Sequence, residues 1–257
     1  MRNFVIKLGK YLLIFLVTLP FTLYFILLLV NLTDEEKSEQ VLAFERILEQ
    51  GKQIDDRKNA YISLVGITAK AEEDIFLIGQ QRILLLRNHR TTKAELPFID
   101  AFDVDDFSAQ LESIFSACQP ASALNEKCRQ HLLIQQDKIA SLLNNNQLLL
   151  QRYRRLTELT QWYEILPPNI SNYSGMRNNL LLSLQQLNLL ASWQRAMSDK
   201  PEEVALLFKQ QDRFLRNIFS STHVLITKLI ASSAIKRHLN WAVFILSNMA
   251  ESPSKQV

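Results

Sequence analysis

Glycine is scarce in this chain, five residues in 257, about 2% where ~7% is usual. Gly-rich phosphate loops, dinucleotide-binding turns and the G-x-S-x-G nucleophile elbow need glycine at fixed offsets, and none of these patterns occurs. The same scarcity excludes turn-rich sandwiches and leaves a mostly helical chain. Only two cysteines are present, which excludes disulfide-dense scaffolds and four-cysteine zinc sites. The histidines His89, His131, His223 and His238 form neither H-E-x-x-H nor an i, i+4 pair, so a helix-borne zinc site has no support. Asp100, Asp103, Asp105 and Asp106 lack the central glycine and closing glutamate of a calcium loop, and they read as charge at a helix start. No catalytic motif, cofactor site or metal site is therefore expected, and a hydrolase cleft is the least favoured alternative.

Hydrophobic residues make up 47% of the chain, ample for a packed core. One long apolar run stands out. Tyr11 to Leu32 holds 22 residues without a charge, enough at ~1.5 Å per residue to span a ~30 Å hydrocarbon layer. A cleaved signal peptide is the competing reading, but the run exceeds the usual ~7–15-residue apolar region and no small-x-small cleavage pattern precedes Asp34. Arg2, Lys7 and Lys10 precede the run, while Asp34, Glu35 and Glu36 follow it. The positive-inside bias thus predicts residues 1–10 in the cytoplasm, a transmembrane helix over 11–32, an exported helical domain over 33–250 and a disordered tail over 251–257.

The slight basic excess belongs to the anchor. With Arg2, Lys7 and Lys10 set aside from the 29 basic residues, 26 remain against 26 acidic ones. A neutral exported domain lacks the basic footprint of phosphate-backbone binding, so nucleic acid is not an expected partner. Within it the charges are segregated: Asp34 to Glu112 is net −7 and Ser113 to Val257 net +7. Docking of one half on the other would use that division.

Cys118 and Cys128 flank Gln119-Pro120, and a disulfide closing this turn is expected on the exported side, worth about 2–3 kcal/mol on the chain-entropy estimate. Free thiols, or a metal set with His131, are the alternatives. Helices are expected over about 34–51, 72–90, 103–117, 176–197, 201–218 and 221–249, and Tyr61 to Ile67 is a short strand or, preferably, part of a broken helix. The longest periodic stretch is Ala121 to Leu166. Ile139, Leu142, Asn146, Leu149, Tyr153, Leu156, Thr160 and Tyr163 recur there at 3-4 spacing, predicting a long central helix. It packs either in a homodimeric coiled coil or, preferably, against its own chain in a bundle.

Trp162, Trp193 and Trp241 are expected packing anchors, with a ligand groove as the alternative. Arg152, Arg154 and Arg155 with Lys236, Arg237 and His238 are candidates for an anion or partner patch, with Arg152, Arg155, Lys236 and Arg237 as its core; balancing the acidic first half explains the same charges. The order of single anchor, Asn59-Ala60-Tyr61-Ile62-Ser63-Leu64-Val65-Gly66, cysteine pair, Arg152-Tyr153-Arg154-Arg155-Leu156 and Ser221 to Ala231 resembles a group of uncharacterised bacterial membrane-anchored proteins. That resemblance implies an inner-membrane address and a periplasmic domain, and no known activity. The expected function is protein-protein interaction, as a scaffold or accessory subunit of the envelope or as a homo-oligomer; a ligand-binding ectodomain is the alternative.

Overall fold

The computed structural model describes residues 54–88, 102, 104–119, 124–165, 178–198 and 201–250, with scattered positions between 15 and 49. Two compact units divide the chain, Met1–Arg46 and Ile47–Val257. In the first, residues 18–26 are helical and expose Phe21, Leu23, Tyr24 and Phe25. Most of the predicted 11–32 span and the whole 251–257 tail lie outside the described residues. Among those described, no helix is long and apolar enough to cross a membrane.

The second unit is all-α among its described residues: α1 (Ala60–Val65), α2 (Ile75–Asn88), α3 (Val104–Phe115), α4 (Glu126–Ile134), α5 (Gln136–Asn145), α6 (Gln147–Glu158), α7 (Asn178–Met197), α8 (Pro201–Ser221) and α9 (Leu225–Ala250). Local chemistry sets several boundaries. The Asn59 side chain accepts from the Tyr61 amide and starts α1, and Asn125 accepts from Lys127 and Cys128 to start α4. Proline opens α8, where its missing N–H costs nothing, with Glu202 and Glu203 at the positive end of the helix.

The segment expected as one long central helix is three helices. Breaks at Gln135 and Asn146 separate α4, α5 and α6, and Leu159 leaves the helix in extended conformation. The physical reason is local. At Asn146 the side-chain Nδ2 shares the Leu142 carbonyl with the Asn146 backbone amide, at 2.9 and 3.1 Å, and the backbone swings to φ −110° and ψ 22°, away from helical values. Ile139, Leu142, Leu149, Tyr153 and Leu156 of the seam are buried, facing α1, α7 and α8 of their own chain, so this stripe is bundle core.

The centre of the bundle is α7. Leu180, Leu181, Leu184, Leu187, Leu189, Leu190 and Trp193 are all buried, and so are Ser183, Gln185, Asn188 and Ser192 on the same helix. A helix buried over most of its surface needs partners for its polar groups, and most are found here, Gln185 Oε1 being left without one. Gln185 Nε2 donates to the Ala234 carbonyl at 2.7 Å, Asn188 Nδ2 to Gln211 at 2.6 Å, and Ser192 back to the Asn188 carbonyl at 2.9 Å. α3, α5, α6, α8 and α9 pack around it.

Two glycines fix the α1–α2 crossing. A Cβ on Gly66 would stand 1.9 Å from the Ile75 carbonyl oxygen, and one on Gly79 would stand 2.0 Å from that of Ile62. The expected helical reading of Tyr61 to Ile67 is thus met by a one-and-a-half-turn helix whose backbone touches that of α2. The chain then closes on itself where residues 159–165 run past α1. The Ala60 amide donates to the Gln161 carbonyl at 3.0 Å, and Asn59 Nδ2 to that of Tyr163 at 2.8 Å. Cys118, after α3, and Cys128, in α4, form the expected disulfide, with a Cα separation of 4.9 Å.

Candidate functional site

The last helix exposes more large aliphatic side chains than any other described helix of the body. Between Leu225 and Ala250 it has no acid, and its only full positive charges are Lys228, Lys236 and Arg237. Its apolar residues go all the way round, so one face packs inward and another is left over. Inward are Ala231, Ala234, Trp241, Phe244 and Ile245. The Trp241 ring lies 5.0 Å from Phe115 and 5.6 Å from Phe244, which stacks on Trp193 at 5.5 Å. Outward are Leu225 at 72% exposure, Leu229 at 58%, Val243 at 70%, and Ile226, Leu239 and Leu246 at about half.

A short connection at 222–224 makes α8 and α9 a helical hairpin. An open groove of about 580 Å³ runs between them, lined by Arg213, Arg216, Phe219, Ser220, Ser232 and Ile235 among others. Arg216 is held by Asp212 at 2.8 Å, and Lys228 Nζ sits 5.6 Å from the Phe219 ring. The surface is therefore aliphatic ridges edged by cations.

The residues singled out from the sequence are dispersed. Arg152 points inward. Its guanidinium donates to the carbonyls of Ile67 (2.9 Å), Ala69 (2.5 Å) and Lys70 (2.6 Å), and it reaches toward that of Glu73. Burial lowers its pKa, with Glu73 and Glu72 opposing that shift. Arg82 works beside it, donating to the Val65 carbonyl and the Thr68 hydroxyl at 2.9 Å each. Together these two arginines hold the loop between α1 and α2. Arg155 is exposed on α6 and Lys236 on α9, while Arg237 is half-buried with Nη1 enclosed and unpaired, its pKa lowered by burial. Among the described residues no hydrogen bond joins Arg155 to Lys236 or Arg237.

All three tryptophans are packed. Trp162 meets Tyr61 edge-on at 5.7 Å and Phe214 at 6.3 Å, and Trp193 and Trp241 share the cluster around Phe244. No group of His, Cys, Asp and Glu among the described residues could hold a metal ion.

One buried acid escaped the sequence reading because nothing in its local pattern marks it. Glu164 is 1% exposed; its Oε2 accepts from the Thr222 hydroxyl at 2.5 Å and its Oε1 has no partner. Burial raises its pKa, and the Thr222 hydrogen bond opposes the rise. A raised acid binds its proton more tightly in the folded state, so its contribution is fully present below the ordinary value of 4.5 and is lost as pH climbs through the folded value. Glu164→Gln should therefore raise unfolding stability at neutral pH, leave it unchanged near pH 4, and flatten the decline between, as read from denaturant midpoints across that range. Equal pH profiles for the two proteins would show that Glu164 is ionised without penalty.

Comparisons with known protein families, characterised proteins and solved structures return no match. The outward ridge of α9 stands as the candidate site on its own chemistry. Its signal was in the sequence: Leu225, Leu229, Ser232, Lys236, Leu239, Val243 and Leu246 follow strict 4-3 spacing.

Proposed function

We propose that this chain is a single-pass protein of the bacterial inner membrane, held by residues 11–32, whose periplasmic helical body works by binding another protein chain as a scaffold or accessory subunit. The observation that carries this reading is the α9 ridge, where six large aliphatic side chains are exposed on one helix, more than on any other described helix of the body. Isolated exposed leucines are ordinary, but aliphatic side chains gathered on one helix face, here in two groups about a polar centre, mark a contact surface. The charge-free run at 11–32, its flanking charges and the resemblance to bacterial membrane-anchored proteins support the address.

The test has two arms. A photo-cross-linking residue at Val243 should capture a protein in intact cells, whereas the same residue at exposed Glu158 on α6 should not; equal capture, or none, overturns the interaction reading. A reporter that is active only after export, fused after Gly175, should be active, and cytoplasmic-type activity there would refute the topology.

A further inference from the structure

The α9 ridge has a symmetry that selects its occupant. Read outward from Ala234, Ser232 and Lys236 come first, then Leu229 and Leu239, then Leu225 and Val243. Polar positions flank the centre and aliphatic positions lie toward both ends. All six side chains are exposed. Such a palindrome is what an isologous two-fold contact requires, because each half of the patch must complement the other half of the same patch.

We propose that α9 pairs antiparallel with α9 of a second copy of this chain, with the two-fold axis passing near Ala234; this deepens the interaction reading and rests on it. In that register Leu225 faces Val243 of the second copy, Leu229 faces Leu239, and Ser232 faces Lys236. The 4-3 spacing is the repeat of paired helices, sustained here over about three heptads. Lys236 is the single charge in the seam. Opposite Ser232 it meets a hydroxyl acceptor and its stem lies along the aliphatic layers, which fixes the register and penalises slipped alternatives. A parallel pairing places Lys236 against Lys236.

Area agrees with a two-fold partner. Leu225, Ile226, Leu229, Leu239, Val243 and Leu246 expose on the order of 500 Å² of apolar surface, within the ~300–600 Å² of the largest and often functional patch on a single protein. Doubled across the axis this reaches the ~1,000 Å² that an interface between two chains must clear, before the flanking polar surface is added. A lipid surface fits less well, since the polar step at Ser232, Ser233 and Lys236 falls in the middle of the face that would enter hydrocarbon.

The test uses the full-length chain in detergent, with Cys118 and Cys128 left in their disulfide. A protein carrying Leu229→Cys mixed with one carrying Leu239→Cys should form a covalent dimer on mild oxidation, and neither should do so alone. Efficient cross-linking of Leu229→Cys alone would mean parallel pairing and overturn the register. Sedimentation equilibrium should show dimers for the unchanged protein, at least a tenfold weaker dimer for Leu229→Asp and for Val243→Asp, and no change for Ile134→Asp, an exposed residue at the end of α4. Because positions 229 and 243 are exposed in the single copy, their helical circular dichroism should be unaltered, which separates lost pairing from lost folding. The adduct at Val243 discriminates further. A product of twice the chain mass supports self-pairing, a protein of another mass overturns it while leaving the interaction reading intact, and a lipid adduct without protein overturns both.

Discussion

Arg152→Ala should lower the unfolding free energy of the helical body by about 3 kcal/mol, the cost of leaving several backbone carbonyls without their donor. The geometry explains the size. One guanidinium satisfies the carbonyls of Ile67, Ala69 and Lys70, while Arg82 serves Val65 and Thr68 at the start of the same loop. Alanine leaves these acceptors enclosed, at ~1–3 kcal/mol for each that finds no water. Lysine should rescue little, because a single ammonium cannot reproduce a planar fork spread over consecutive carbonyls. Arg82→Ala acts on the same loop, so the double variant should cost less than the sum of the singles. Equilibrium denaturation checks this, and a change below ~1 kcal/mol for Arg152→Ala would mean that the loop holds its shape without the fork.

Gly79→Ala should destabilise by about 3 kcal/mol, at the upper end of overpacking costs, although helix propensity alone would favour alanine in mid-helix by ~1 kcal/mol. The sign is therefore diagnostic. A Cβ would lie 2.0 Å from the Ile62 carbonyl oxygen, which is backbone and cannot swing aside as a side chain would. Gly66→Ala meets the Ile75 carbonyl oxygen at 1.9 Å and should behave alike. Once either methyl has pushed α1 from α2, the second should add little, so the pair should be strongly non-additive. Thermal unfolding of the two singles and the double decides it; a stabilised Gly79→Ala protein would show that the crossing opens freely.

Helix positions were legible because 3.6-residue periodicity, the capping residues and Pro201 are local signals. α3, α7, α8 and α9 fall within a few residues of their expected bounds. The continuity of 121–166 was misread because a 3-4 stripe survives a break when the helices on either side keep facing the same neighbours. Ile139 in α5 and Tyr153 in α6 are both buried although the helix is interrupted between them. The central place of α7 was not legible at all, since leucines on every face and four buried polar residues resemble a weakly amphipathic surface helix until Gln185 and Asn188 find their partners. Arg152 illustrates the same limit: a cation among cations reads as surface charge, and only the fold brings it to a loop 85 residues away.

That distance matters for how the body is made. The chain is synthesised from its amino end, and α1, α2 and the loop between them are ready long before their supports. Arg152 follows Ile67 by 85 positions, and Tyr163 follows Asn59 by 104. Pairings so far apart close slowly, since the intervening chain must first be gathered in. Until α6 and the 159–165 segment arrive, α2 is the partner α1 already has, Tyr61 lacks Trp162 and the carbonyls of Ile67, Ala69 and Lys70 lack the Arg152 guanidinium, so the first third of the body is a nascent segment open to proteases and to wrong contacts. Its survival depends on how quickly the middle of the chain follows it out.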